Sequence, residues 1–414
     1  MKKIMSLIIT VFLALNFAGC VSQETKKETV SENVRVEDIC DTTVSIDDIK
    51  FSELEDSQSY WNVFTHTVAR GEYGYYYATF GGNGSTLLGY VDDESYECIP
   101  LCNKAQCAHN DENCDAVFKG YMQSVWYYKD FLYLIKYNNE GKAVLVQVKP
   151  DGTERKDLFE IGNIPVDSSN TYNLAFCNDC VYIYDRTGNC RLSEPVQINI
   201  RKISLDKKTD ENIITSDESN VIFDAVKSYG GNIFFIYSNT EYNRETGQNV
   251  TTSDGLYYYS GDKIGKIIDK NISDYSIDVD NKIIYYYVIN EGLYKYELQS
   301  KNDVLIYKSE KNSSLCQVSF DGEYLYLDNR RWCSFAMTSE FVPELWVLDT
   351  EGNVINVLDT GEANNTFFGD KDNILFEVYG RSEISGRSIH KIAYIKKTEI
   401  ENAESWSEAE WQMQ

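Results

Sequence analysis

Four residues in one short stretch carry the most definite chemistry in this chain. Cys102, Cys107, His109 and Cys114 follow the spacing C-x4-C-x-H-x4-C. Three thiols and an imidazole make a complete tetrahedral ligand set for zinc, and ligands this close in sequence let one loop wrap the ion. Such a set keeps no open position for a substrate, so it reads as a structural staple and not as a catalytic centre. The spacing differs from that of a common zinc finger. Disulfides are the competing reading, because exported cysteines oxidise, and free thiols are the third. Cys98 lies just upstream in a predicted strand. A further pair, Cys177 and Cys180, brackets the turn CNDC; strands on both sides predict a turn-clasping disulfide, since the redox use of C-x-x-C needs a helix N-terminus. His66 and His390 fall within predicted strands and carry no assignment.

Arginines supply the second chemical feature. The chain has 11, and seven lie in predicted second-to-third-strand loops: Arg186, Arg191, Arg244, Arg330, Arg331, Arg381 and Arg387. Guanidinium forks grip carboxylates, sulfates and phosphates with two parallel bonds, and Trp332 beside Arg330 and Arg331 offers a ring for stacking. Together these residues predict an Arg-rich loop face that contacts an anionic glycan or protein. The plainer account is a set of solvated arginines, some paired with neighbours such as Asp185, Glu194, Glu245 or Glu383.

Both features need a scaffold, and the scaffold is legible as a repeat. Its unit is an apolar strand, a tight turn of Gly, Asn or Asp, and a second strand rich in Tyr, Ile and Phe. Second strands begin at Tyr75, Phe131, Val181, Ile233, Ile283, Tyr324 and Ile374, so successive starts lie 41 to 56 residues apart. A period near 50 with four short strands per unit is that of a β-propeller blade, whose twisted sheets bury both faces only against their neighbours. The expected fold is therefore an all-β propeller of seven four-stranded blades, with six or eight as alternatives. The last unit shows three strands before the sequence turns acidic. The alternating segment TVSIDDIKF at 43–51 is expected to supply the missing one and close the ring. Runs such as Tyr75 to Tyr77 and Tyr285 to Tyr287 are expected to pack between blades, one ring to each side. In this topology the long insertions gather on the side that carries the second-to-third-strand loops, where binding on a rigid scaffold usually sits.

The chain opens with Lys2 and Lys3, an apolar run from Ile4 to Leu15, and Phe17-Ala18-Gly19-Cys20. A basic start, a short apolar core and small residues before a cysteine read as a lipoprotein export signal, with Cys20 carrying the lipid. The expected organisation is a signal peptide at 1–19, a polar tether at 20–59 that contains the closing strand, the propeller at 60–400 and an acidic tail at 401–414. The expected location is the cell membrane, lipid-anchored and facing outside the cytoplasm. With 39 basic and 65 acidic side chains the formal charge is −26, which excludes nucleic-acid binding by a broad basic face.

The stretch Phe17 to Cys20, the segment PLCNKAQCAHNDENC from Pro100 to Cys114, and pieces such as GLYKYEL at Gly292 resemble uncharacterised lipoproteins of clostridium-like bacteria. These carry a propeller domain of the type named after the low-density lipoprotein receptor-related proteins. The resemblance implies a surface-exposed propeller of unassigned function and brings no catalytic residues with it. Sialidase boxes, quinone-dehydrogenase tryptophan repeats, G-x-S-x-G and H-E-x-x-H are absent from the sequence. The expected function is a lipid-anchored recognition or scaffold module. The alternative is a carbohydrate-active hydrolase or lyase on a propeller fold.

Overall fold

Each unit of the repeat folds as an antiparallel sheet whose strands follow in chain order. The computed structural model describes residues 34–35, 49–52, 67–80, 85–111, 113–119, 124–138, 140–163, 172–185, 198–216, 221–243, 248–260, 263–309, 316–329, 343–381 and 388–411. Blade one spans 68–100 with Val117–Lys119, blade two 125–163, blade three 172–216, blade four 221–268, blade five 272–308, blade six 317–359 and blade seven 363–408. First strands of blades one and two, three and four, four and five, and five and six meet one another, and the fourth strand of each blade lies at the opposite side of its sheet from the first. The chain is a seven-bladed β-propeller.

Core formation explains why the blades form a ring. Each seam has its own apolar cluster: blades one with two, two with three, three with four, four with five, five with six, and a joint cluster for six, seven and one. Because side chains alternate along a strand, consecutive tyrosines sort to opposite seams. Tyr285 and Tyr287 pack toward blade six while Tyr286 packs toward blade four. Tyr75 and Tyr77 pack toward blade seven, and Tyr76 toward blade two. Their hydroxyls find partners inside: Tyr286 donates to Asp303 at 2.6 Å and Tyr75 to Asp370 at 2.9 Å.

The first-to-second-strand turns are as tight as the sequence suggests. Lys129 and Asp130, Asn178 and Asp179, and Gly230 and Gly231 all take positive φ, the conformation of two-residue turns whose twist matches the strands. Lys129 pairs with the Asp179 carboxylate of the next blade, and the Asp179 amide donates to the Tyr128 hydroxyl at 3.1 Å. Two glycines in third strands have a separate reason. Gly255 and Gly292 have φ of 138° and 142°, and a Cβ on either would sit 2.0 Å from a backbone oxygen of the fourth strand, Ile268 O or Tyr307 O. Gly292→Ala is expected to cost about 2 kcal/mol or more, from both strain and the forced shift of backbone. Thermal unfolding of the variant measures this, and an unchanged midpoint would contradict it.

Ring closure differs from the sequence expectation. The fourth strand of blade seven is Ser407–Glu408, which pairs with the third strand at Ala393 and Tyr394. The segment 43–51 was expected in that place. Its residues 43–48 lie outside the described residues, and its end docks on blade four: Ile49 is buried, the Phe51 ring faces Phe234 at 6.1 Å, and the Ser52 amide donates to Gly230 O at 2.8 Å. Residues 401–411 of the acidic stretch are packed on the propeller. After a short 3-10 turn, Lys397–Asn402, they supply Ser407–Glu408 to blade seven and then Glu410–Trp411, which lies parallel on the outer strand of blade one. A second parallel addition, Val34–Arg35, covers the outer strand of blade three. Acidic composition hides these strands because only one face touches the core, through buried Ala409 and through Trp406, whose ring lies 5.0 Å from that of Phe376.

Side chains weld the same seam. Arg70 of blade one contacts Asp93 at 2.6 Å, Asp370 at 3.1 Å and Asp372 at 3.7 Å. Asn373 donates to the Tyr75 hydroxyl and accepts from Tyr96, both at 2.9 Å. The Tyr96 ring stacks on Tyr394 with centroids 3.7 Å apart.

Candidate metal centre and the loop face

The cysteine segment leaves blade one from the middle of its outer strand. That strand begins as Glu97–Pro100, with Pro100 opposite Gly89, breaks off, and resumes as Val117–Lys119, with Val117 opposite Leu87. Leu88, between those two positions, ties the ends of the excursion together. Its carbonyl accepts from the Leu101 amide at 3.0 Å, and its amide donates to Ala116 O at 2.8 Å. That register makes the cysteine segment an excursion within the outer strand of blade one. A return strand of three residues was too short to be read as one.

Strand register therefore brings Cys102 and Cys114 to the two sides of one neck. The chain between them curls back through Gln106 and His109, both at positive φ, 61° and 49°. Non-glycine residues rarely adopt that conformation, and two in one loop mark a backbone bent for a purpose. The outcome is that the three sulfurs and the imidazole nitrogen all lie within 4.8 Å of one another, with His109 Nδ1 at 3.2 Å from Cys114 Sγ. This Cys3His group can hold a metal ion. A tetrahedral zinc with 2.3 Å bonds separates its sulfurs by about 3.8 Å, so the donors need only a small inward movement.

Burial and hydrogen bonding treat the thiols differently. Burial pushes Cys114 up to about 12, and its sulfur accepts from the Ala116 amide at 3.3 Å. Burial also opposes ionisation of Cys102, but hydrogen bonds from the backbone amides of Lys104 and Asp115 and from the neighbouring Cys114 and Cys107 thiols together outweigh it and hold that thiol below its ordinary value. Lys104 braces the loop from within, donating to Asn113 O and, at 2.8 Å, to the Asp115 carboxylate, which raises its own affinity for a proton.

No disulfide joins these cysteines, although they lie near one another. The disulfide expected across the CNDC turn is absent as well. Cys177 and Cys180 stand opposite each other beside Asn178 and Asp179, with no disulfide between them, and both are buried in the cluster between blades three and four. There they serve as small apolar fillers.

The arginine face is described only at its edge. Arg381 ends the second strand of blade seven, opposite Ser388, where the chain crosses to the third strand. Arg186, Arg191, Arg244, Arg330, Arg331, Trp332 and Arg387 lie outside the described residues, as does Cys20.

Sequence reasoning missed a set of polar groups near the axis. Lys227 in the first strand of blade four is buried and bonds the Asp274 carboxylate of blade five at 2.8 Å. The other oxygen of Asp274 accepts from the Val318 amide of blade six at 3.0 Å. Ser228 donates to Phe176 O at 3.0 Å, Ser273 to Cys316 O at 2.7 Å, and Tyr275 to Ala225 O at 2.7 Å. Each bond crosses from one blade to the next.

No protein-family profile and no curated protein sequence matches the chain. Solved structures do resemble it. One is a prolyl endopeptidase, at 14% identity and a TM-score of 0.52, covering 83% of this chain and 51% of that one. The chain thus spans about half the length of that enzyme. Another is an oligogalacturonate lyase in complex with manganese, at 11% identity and a TM-score of 0.50, covering 83% and 90%. A third is the WD40 β-propeller domain of Doa1, at 10% identity and a TM-score of 0.42, covering 84% and 97%. At these identities the likeness concerns the fold alone.

Proposed function

We propose that this chain is a recognition or scaffold module, lipid-anchored at Cys20 outside the cytoplasm, that contacts an anionic glycan or protein through its Arg-rich loop face. We further propose that Cys102, Cys107, His109 and Cys114 hold a structural zinc ion. The observation that carries the reading is how the described polar groups are used. Those beside the axis bond one blade to the next, and the one convergent donor set is a closed Cys3His group set in an outer strand. An enzyme needs acid and base groups converging on an open pocket, whereas a module needs a rigid disc that presents loops. Zinc suits the donor set because three soft thiolates with one imidazole form a closed tetrahedral shell.

A glycan and peptide array weighted toward sulfated and uronic polymers tests the module. Binding by the unaltered chain is expected to fall about tenfold or more in the double variant Arg330→Ala, Arg331→Ala, because each lost fork removes a charge-assisted pair. Equal binding by the variant would refute the loop face. Release of shortened glycan products would establish the hydrolase or lyase alternative.

A further inference from the structure

We propose that the metal of the Cys3His group is a lock between blades one and two, so that loading or removing the ion shuts or loosens that seam. The inference rests on the zinc reading above and assigns that site a role. Its basis is that the loop is gripped by blade two at the residues the metal would hold. Arg155, just past the third-to-fourth-strand turn of blade two, donates to Cys114 O at 2.9 Å and to Val117 O at 2.8 Å. Its guanidinium also covers the Phe118 ring, 3.8 Å from the centroid. Gly152 in the same turn lies over the neck so closely that a Cβ there would come within 2.4 Å of Leu101 O.

Cys114 is thus held from two directions, its sulfur toward the metal group and its carbonyl by blade two. The backbone closes the neck through the two bonds at Leu88, and side chains add Lys104 on Asn113 O and Asp115 and the Asp115 amide on the Cys102 sulfur. A discontinuous strand held mainly at exposed side-chain contacts has less local stability than a continuous ladder. An ion joining Cys102 to Cys114 closes the excursion at its base and fixes the carbonyls that Arg155 needs. Without the ion, the three thiols offer one another no comparable bond, and the acceptors of Arg155 are free to drift.

Amide hydrogen exchange on the full chain, purified without chelator and compared with chelator-stripped protein, tests the lock, with metal content measured in parallel. One zinc per chain is expected. Stripping is expected to speed exchange at the Leu88 and Leu101 amides by about tenfold or more while Leu325 in blade six is unmoved. Arg155→Lys keeps the charge but not the paired donors, and is expected to retain the ion yet lose most of the rise in melting temperature that zinc confers. If one zinc binds but neck exchange is the same with and without it, or Arg155→Lys keeps the full rise, the lock is wrong and the zinc reading stands. If no metal is found and thiol counting shows disulfides, both fall.

Discussion

A chain ending at Ala403 is expected to lose about 5 kcal/mol of stability and at least 10 °C of melting temperature, or to come out of the cell insoluble. The deletion removes the fourth strand of blade seven, the Trp406 ring packed on Phe376, buried Ala409 and the strand that Glu410 and Trp411 lay along blade one. It also strips the outer edges of two sheets at once, which invites pairing between molecules. Trp406→Ala alone tests the packing component and is expected to cost about 2 kcal/mol, since that side chain is only half-buried. Differential scanning calorimetry on the three proteins decides the matter. A truncated chain that melts within 2–3 °C of the full one would show that Arg70, Tyr75 and Asn373 close the ring unaided.

Lys227→Met is expected to destabilise the propeller by about 3–5 kcal/mol, the usual result of removing one partner from a buried ion pair. Asp274 would keep its bonds from the Tyr275 and Val318 amides but would be left as a buried charge with no cation at hand. Tyr275 O, which also accepts from Lys227, would lose its donor. Adding Asp274→Asn removes that charge while sparing an acceptor, and is expected to recover 1–2 kcal/mol or so of the loss. Urea unfolding with an unchanged slope would report it cleanly. A loss under 1 kcal/mol for Lys227→Met would mean that water or a shifted side chain replaces the ammonium.

The repeat was legible in the sequence because its causes are local. A strand flanked on both sides by other blades must alternate its apolar rings between two seams, which is why three consecutive tyrosines recur, and a two-residue turn must tolerate positive φ, which is why Asn178-Asp179 and Gly230-Gly231 stand where they do. The Cys3His group was legible for the same reason, as four possible ligands within one loop. Partner choice was not. The pattern of 43–51 says that it can be a strand but not which edge it would take, and Ser407–Glu408 is too short and too polar to display a period of its own. Val117–Lys119, three residues long, has the same difficulty. Lys227 and Asp274 stand 47 residues apart with ordinary neighbours, and only the meeting of two first strands shows their relation.

The closure of the ring by residues 407–411 has a consequence for the order of folding. Synthesis runs from the amino end, so six blades can stack as they emerge, yet blade one keeps a bare flank and blade seven stays a three-stranded sheet until residues 407–411 arrive. Cooperative sealing is thereby postponed until after the third strand of blade seven has been made.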